Sequence, residues 1–305
     1  MRCCLVLLLV LLLVLLASAA QAQVRENAPL LLQLPGSTRA LGIGDAYPLA
    51  AADNDAIFYH PGLIDAARGI GASLALFDRA TLVTMSGAAE FWRGGVAFGV
   101  QSVSWSAPTR MGGAFALGEA GLHDSGAAGA AELVLSTAYA RTIKGFRVGV
   151  AGKYIEMRVP GERDATVAAD VGVARRLGFI TAGFSVRNLG RAPQLEGEDV
   201  ALPLTLTLGA ATQTAPLGPL DVAAAAAVAR WEDGTFVPHA GVEIGYWPVN
   251  GRTFIGRVGM RYIEDSGIRP LTLGAGFVGD RIAIDYAFQG YDGGAAVHRV
   301  GLRLR

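Results

Sequence analysis

The sequence predicts an all-β protein, a transmembrane antiparallel β-barrel of about 14 strands behind an N-terminal hatch or plug. Three observations predict it. Hydrophobic residues make up 52% of the 305 and charged residues only 17%, where a globular chain carries about 25% charged, and mean hydropathy is +0.39. Yet there is a single uninterrupted apolar run, Leu5 to Ala17, and a helical span needs roughly 20 apolar residues. From 69 to 305 the apolar residues recur at every second position instead, the period of strands whose two faces meet different surroundings. The formal net charge of +0 excludes a nucleic-acid binder, which needs a basic surface.

Residues 1–22 read as a signal peptide. Arg2 supplies the positive start, Leu5 to Leu16 the apolar stretch and Ala20-Gln21-Ala22 an A-x-A cleavage site. The alternative, an uncleaved anchor, has a short apolar run for a span. Cleavage near Ala22 removes both cysteines, Cys3 and Cys4, and with them Cys nucleophiles, Cys-ligated zinc and redox motifs. It also removes Arg2, leaving a mature charge of about −1.

Residues 23–68 differ in kind from the rest of the mature chain. Ala28 to Ala67 contains Pro35-Gly36, Pro61-Gly62 and short mixed stretches without period 2. We read it as a compact hatch with short helices inside a lumen, the alternative being an extension that seals one rim.

Residues 69–305 form the barrel. Cutting at Gly, Pro and Asp/Asn clusters gives strands near 69–78, 80–91, 94–104, 130–142, 145–158, 163–176, 178–189, 202–213, 218–230, 237–248, 252–264, 268–278, 281–290 and 296–305. Each approaches the ~10 residues a tilted strand needs to cross a bilayer. Tight connections such as Lys144-Gly145 and Asn250-Gly251 interleave with longer ones: Ser104 to Gly129, Pro160 to Asp164, Asn188 to Leu202. An up-and-down barrel has this asymmetry between its rims. A secreted β-sandwich would alternate too, but its outward face would carry Lys and Glu, and here the face opposite the apolar one is often Gly or Ala. Val222 to Val228 is mostly alanine, which propensity alone assigns to helix; the flanking pattern makes it a strand.

Several clusters are candidates for chemistry. Asp53-Asn54-Asp55 offers hard oxygen ligands, but lacks the Gly and distal Glu of a calcium loop, so capping of the following turn is the preferred reading. Gly42-Ile43-Gly44 has no preceding strand or third Gly for a nucleotide loop. Asp170, Glu243, Arg257, Arg261, Asp285, Arg303 and Arg305 fall opposite the apolar faces, hence in a lumen, where they either line a polar path or pair with each other and the hatch. Met111, Phe115, Leu117 and Leu122, in the long Ser104 to Gly129 connection, either contact a hydrophobic ligand or partner or fold over the barrel mouth. Trp92, Trp105, Trp231, Trp247, Tyr246 and Tyr291 sit near strand ends, where interfacial girdles belong. No nucleophile elbow, metal-spaced His pair or acid/base carboxylate pair emerges, so neither an enzyme nor a cofactor is expected.

The run Gly36-Ser-Thr-Arg39-Ala-Leu-Gly42-Ile-Gly44-Asp45-Ala-Tyr47, then Asp53-Asn54-Asp55 and Tyr59-His60-Pro61-Gly62-Leu63, resembles the N-terminal signature of the PorV/PorQ family of bacterial outer-membrane proteins and, more distantly, that of FadL-type fatty-acid transporters. Ser185 to Gly190, Leu202-Pro203, Gly241-Val242-Glu243, Ile284 to Phe288 and His298-Arg299 resemble later landmarks in the family's order. The resemblance implies a fourteen-stranded barrel in the bacterial outer membrane, with hatch-motif residues Arg39, Gly42, Gly44, Asp53, Asp55, Tyr59, His60 and Pro61. It implies outer-membrane lipid as surroundings and a role in protein secretion or surface presentation, with secretion components or cargo as partners. The FadL side implies transport of hydrophobic small molecules. The chain departs from the pattern at Asp45, at His60 and at its end, Leu302-Arg303-Leu304-Arg305 in place of a terminal aromatic.

Overall fold

The computed structural model describes residues 28–51, 53–77, 80–106, 129–195, 197–249, 251–263 and 266–304. Fourteen long strands follow one another around the barrel: β1 (Gly69–Leu76), β2 (Ala80–Phe91), β3 (Gly94–Ser106), β4 (Gly129–Ile143), β5 (Phe146–Val159), β6 (Glu162–Leu177), β7 (Ile180–Gly190), β8 (Thr205–Thr212), β9 (Leu220–Trp231), β10 (Phe236–Val249), β11 (Arg252–Arg261), β12 (Ile268–Val278), β13 (Ile282–Tyr291) and β14 (Ala296–Leu304). Each pairs antiparallel with its neighbours in sequence. The first meets the last, from Ile70 opposite Leu304 to Leu76 opposite His298, which closes the barrel and leaves no free edge. Ala215–Leu217 adds a short strand beside the start of β9, and Gln194–Leu195 with Glu198–Asp199 forms a small separate hairpin.

The burial pattern is that of a barrel in lipid. On β14, Val300, Leu302 and Leu304 are 52%, 46% and 41% exposed, while Arg299 and Arg303, on the opposite face, are 1% and 7% exposed. A water-soluble sheet would have the reverse. The same inversion holds on β11, where Val258 and Met260 face out and Arg257 and Arg261 face in, and on β13, where Ile282, Ile284 and Tyr286 face out and Asp285 faces in. A wall of exposed apolar side chains this extensive is stable only against hydrocarbon. Among the described residues no helix is long and apolar enough to cross a membrane.

Three expectations from sequence need correction. Strand β8 starts at Thr205, not at 202: Leu204 donates its N–H back to the Leu202 carbonyl at 2.8 Å, and Pro203 has no N–H to give to a ladder. Leu202 therefore turns inward and is buried beside Leu31, Val134 and Ile155. The connection after β5 is Pro160-Gly161 alone, with Gly161 at φ +90, so a tight turn also occurs on the rim of longer loops. The aromatic residues expected near strand ends divide between the rims: Trp92, Tyr246 and Trp247 are exposed at the short-turn rim, whereas Trp105, Trp231 and Tyr291 pack against buried clusters at the other rim, where Tyr262 is the exposed aromatic instead.

The N-terminal segment packs against the inward strand faces. It holds one short helix, α1 (Thr38–Gly42), and single 3-10 turns at Leu30–Leu32, Asn54–Phe58 and Pro61–Leu63. Ser37 caps α1 by accepting the Ala40 N–H at 3.1 Å. The segment enters on the long-loop side, where the Glu132 carboxylate of β4 accepts the N–H groups of Leu30 and Leu31 at 2.9 and 2.7 Å. It leaves at the short-turn side, where Asp65 accepts from Arg147 at the start of β5 at 2.7 Å. Backbone meets backbone along the way: a Cβ on Gly259 would lie 2.0 Å from Gly44 N, and one on Gly95 would lie 1.9 Å from the Ile64 carbonyl oxygen.

Candidate functional site

The lumen has a charged half and a hollow half. On the charged half, α1 directs Arg39 at β10, where its Nε and Nη2 donate to the Glu243 carboxylate at 2.6–3.0 Å. Its Nη1 pairs with Asp53 at 2.6 Å. Glu243 also pairs with Arg257 at 2.8 Å, Arg257 with Asp285 at 2.7 Å, and Asp285 with Arg303 at 2.8 Å. Arg303 returns to Asp53 at 2.6 Å. Three guanidinium groups and three carboxylates thus form one closed ring joining the N-terminal segment to β10, β11, β13 and β14. Nearby Arg261 pairs with Asp45 at 3.2 Å. Buried charges of this kind persist only because each is paired.

Asp53 does not cap the turn after it: its side chain makes no capping hydrogen bond there. The two arginines outcompete the backbone N–H for its carboxylate, since a hydrogen bond to a full charge is roughly twice as strong. Asn54 donates to Ser86 Oγ at 2.6 Å, and Asp55 accepts from the Tyr47 hydroxyl at 2.9 Å. Burial, then the Asp53 charge, pushes the Asp55 carboxyl upward. The cluster expected as a cap or cation site is instead dispersed, each of its three residues engaging different partners. Among the described residues no group of three or more His, Cys, Asp or Glu is placed to hold a metal.

The other sequence candidates take backbone and packing roles. Gly42 lies against Gly274, where a Cβ would approach its Cα to 3.2 Å. Gly44, at φ +72, sits on the Met260 backbone and donates to Thr272 Oγ1 at 2.9 Å. Tyr59 stacks on Tyr47 with centroids 4.7 Å apart and donates to Asp45 at 2.6 Å. Pro61 opens the last 3-10 turn. Asp170 pairs with Lys153 at 2.8 Å and accepts the Asn188 N–H, at a bulge where Asn188 has φ +63. Met111, Phe115, Leu117 and Leu122 lie outside the described residues, as does Arg305.

Sequence reasoning gave no lumen role to Arg299, Glu132 or Lys153. Arg299 is fully buried without a carboxylate partner among the described residues; it donates to the carbonyls of Pro35 and Gly36 and to Ser73 and Thr84. Its place on the same face of β14 as Arg303 was the available signal.

The hollow half is the wall of β7, β8 and β9. Its inward rows run Ser185, Thr207, Ala229; then Gly183, Gly209, Ala227; then Thr181, Ala211, Ala225. Against the first two rows lies a cavity of about 40 Å³, bordered by Tyr47, Leu49, Tyr59, His60, Arg187 and His239. His60 is 3% exposed, and neither of its ring nitrogens has a hydrogen-bond partner among the described residues. Burial lowers its pKa to about 4, so it is neutral at pH 7. A second cavity of about 70 Å³ lies against the third row, between Pro48, Ala50, Ala225 and Gly241. A third, about 30 Å³, lies toward the long-loop side beside Leu31, Gln101, Lys153 and Arg187.

Geometry therefore defines a closed fourteen-stranded membrane-type barrel with an apolar wall, an ion-paired lumen and a chain of small cavities along one side. Solved structures similar to this chain include hydrocarbon channels and a FadL homologue. The TodX deltaS2S3 mutant monoaromatic hydrocarbon channel matches with TM-score 0.58 at 13% identity, over 87% of this chain and 97% of that one. The toluene transporter TbuX of Ralstonia pickettii matches with TM-score 0.52 at 14% identity, over 89% and 97%. A Pseudomonas aeruginosa FadL homologue matches with TM-score 0.53 at 11% identity, over 88% and 97%. At these identities the likeness is one of fold. No protein-family model and no curated protein matches the sequence, so the PorV/PorQ resemblance has no counterpart there, and nothing in the comparisons supports the secretion role it implies.

Proposed function

We propose that this protein is a bacterial outer-membrane channel for small hydrophobic molecules, with its N-terminal segment as the hatch. The observation that carries this reading is the hollow wall of β7–β9: where the charged half of the lumen is packed by Arg–carboxylate pairs around a cavity of only about 20 Å³, these three rows present only Gly, Ala, Ser and Thr and leave more space. The strand side of the 40 Å³ cavity is neutral and weakly polar, and across from it the two tyrosines stack, His60 is neutral, Asp45 is paired with Arg261 and Arg187 donates to the Phe58 carbonyl; such a lining suits a small uncharged ligand better than an ion, which would need charge or full hydrogen bonding in its place. Its fold neighbours, the TodX mutant and TbuX, are described as a monoaromatic hydrocarbon channel and a toluene transporter. The cavities are separate in this conformation, so passage requires movement of the hatch. Secretion or surface presentation, the reading drawn from the motif resemblance, lacks an observation of this kind.

Toluene uptake tests the proposal. Gram-negative cells carrying the full chain in their outer membrane should accumulate labelled toluene several-fold faster than cells with an empty vector. Equal initial rates, with the barrel shown to be folded by heat-modifiable migration, would overturn it.

A further inference from the structure

We infer that Leu49 is the gate of an axial passage along the β7–β9 wall, dividing a long-loop-side chamber from a short-turn-side chamber. This deepens the transport reading and rests on it for the nature of the cargo, though not for the existence of the passage.

The argument starts from the rows of small residues. In a barrel, inward positions of successive strands stack into layers. Three consecutive layers here consist of side chains no larger than Thr over three adjacent strands, so a strip of lumen wall stands back from the N-terminal segment. Such a strip would be one continuous groove unless something stood in it. Two large side chains do. A Cβ on Gly183 would lie 2.9 Å from His60 Nε2 and 3.2 Å from Leu49 Cδ1, and one on Gly209 would lie 3.4 Å from Leu49 Cδ1, so Leu49 is the one that reaches both glycines of the layer. Leu49 therefore rests on the middle layer, held against glycines that have no side chain to push it away, and it is 6% exposed.

Its chain neighbours place the two chambers on opposite sides of it. Leu49 borders the 40 Å³ cavity with Tyr59 and His60, whereas Pro48, Ala50 and Ala51 border the 70 Å³ cavity that reaches Thr214 near the short-turn rim. Arg187, Tyr59 and Asp45 are shared between the 40 Å³ cavity and the one on the long-loop side. The three cavities thus form a column, and Leu49 is the plug of its lower junction. Pro48 to Ala51 includes no strand and no helix longer than a turn, so a rotation there breaks few hydrogen bonds. Removing the isobutyl group would join the two chambers along a strand wall lined by small side chains.

The test uses the full-length barrel in detergent micelles with single cysteines placed on either side of the gate. Ala229→Cys, in the layer on the long-loop side of Leu49, faces the 40 Å³ cavity, and Ala223→Cys, on the short-turn side, faces the 70 Å³ cavity; the reagent is methyl methanethiosulfonate, small and uncharged. With Leu49 in place, Ala229→Cys should react slowly, because access waits on local opening, and adding Leu49→Ala should speed it by about tenfold or more, while Ala223→Cys keeps its rate. Leu49→Val should give an intermediate rate, and serves as the reporter if Leu49→Ala does not fold. Unchanged labelling of Ala229→Cys in both variants would overturn the gate, and so would an equal acceleration at Ala223→Cys, which would mean general loosening. In cells, Leu49→Trp should reduce toluene uptake. If labelling responds to Leu49 but wild-type cells take up no toluene, the passage stands and the cargo reading fails; if toluene enters at the same rate with Leu49→Trp, transport stands and this route does not.

Discussion

Arg303 of the last strand lies 2.6 Å from Asp53 of the N-terminal segment, through Nη1 and Oδ2. Two residues 250 positions apart are thereby fixed to one another, and the same guanidinium holds Asp285 across β13. Glu243 plays the matching part on the far side of the ring, shared by Arg39 and Arg257. Removing it would leave two buried guanidinium groups short of a counter-charge. Glu243→Ala should therefore destabilise the barrel by about 3–5 kcal/mol, read as a lower urea midpoint in detergent. Glu243→Gln, which keeps the shape and part of the hydrogen bonding, should cost less.

Arg299 binds the N-terminal segment by hydrogen bonds alone, at Pro35 and Gly36. Arg299→Met keeps bulk but frees those carbonyls. The expected result is a barrel that still migrates as folded but whose N-terminal segment is cut by protease many times faster than in wild type; equal cleavage rates would show that Arg299 does not hold the segment.

Glycine at the segment–wall contact should be irreplaceable where backbones touch and dispensable where they do not. At Gly259 a methyl group would overlap Ile43 and Gly44 main-chain atoms, whereas at Gly256, three residues before it on β11, nothing lies within 4 Å. Gly259→Ala should impair assembly, seen as loss of the heat-modifiable form, and Gly256→Ala should leave it unchanged.

His60 predicts a pH dependence. An unfolded histidine titrates near 6.5, while burial holds folded His60 at about 4. The folded state thus resists a proton that the unfolded chain accepts, so the stability contributed is complete above pH 6.5 and is lost as pH falls from 6.5 to 4, by about 3 kcal/mol. His60→Gln cannot take up that proton. The difference between wild type and His60→Gln in urea midpoint should change across this window; a difference independent of pH would place His60 in contact with water.

The lipid-facing wall can be tested at Val258, mid-strand on β11 and 45% exposed. Val258→Arg should cost about 2–4 kcal/mol if that position meets the bilayer core, and Val258→Leu almost nothing. A tolerated arginine would argue for water at that face.

Much of the wall was legible in the sequence because a strand has a period of two and lipid and lumen impose opposite demands on it. Ile282, Ile284, Tyr286 against Ala283, Asp285, Ala287 can be read without any partner strand. What the alternation leaves open is what each inward charge meets. Arg303 could be placed in a lumen from Leu302 and Leu304 beside it, but its pairing with Asp53 depends on how the N-terminal segment is threaded, and no local pattern encodes that. The same limit explains the misreading of Asp53 as a cap: capping is a local preference, and here a distant guanidinium outweighs it. The alanines of Val222 to Val228 looked like a lapse in strand propensity. Ala225 and Ala227 occupy the inward rows that stand back from the N-terminal segment, where a larger β-former would fill the space, while Ala224 and Ala226 are exposed on the other face.

The ring of charges has a consequence for the order in which the molecule can be completed. Its carboxylates and guanidinium groups come from both ends of the chain: Arg39 and Asp53 precede every strand, Asp285 and Arg303 sit in the last two. Until β14 docks, Asp53 lacks one of its cations, and until the N-terminal segment is inside, Arg303 lacks one of its anions. Neutralisation of the lumen therefore needs both a closed seam and an occupied interior, so a barrel zipped shut around an empty interior would be electrostatically unfinished as well as unfilled.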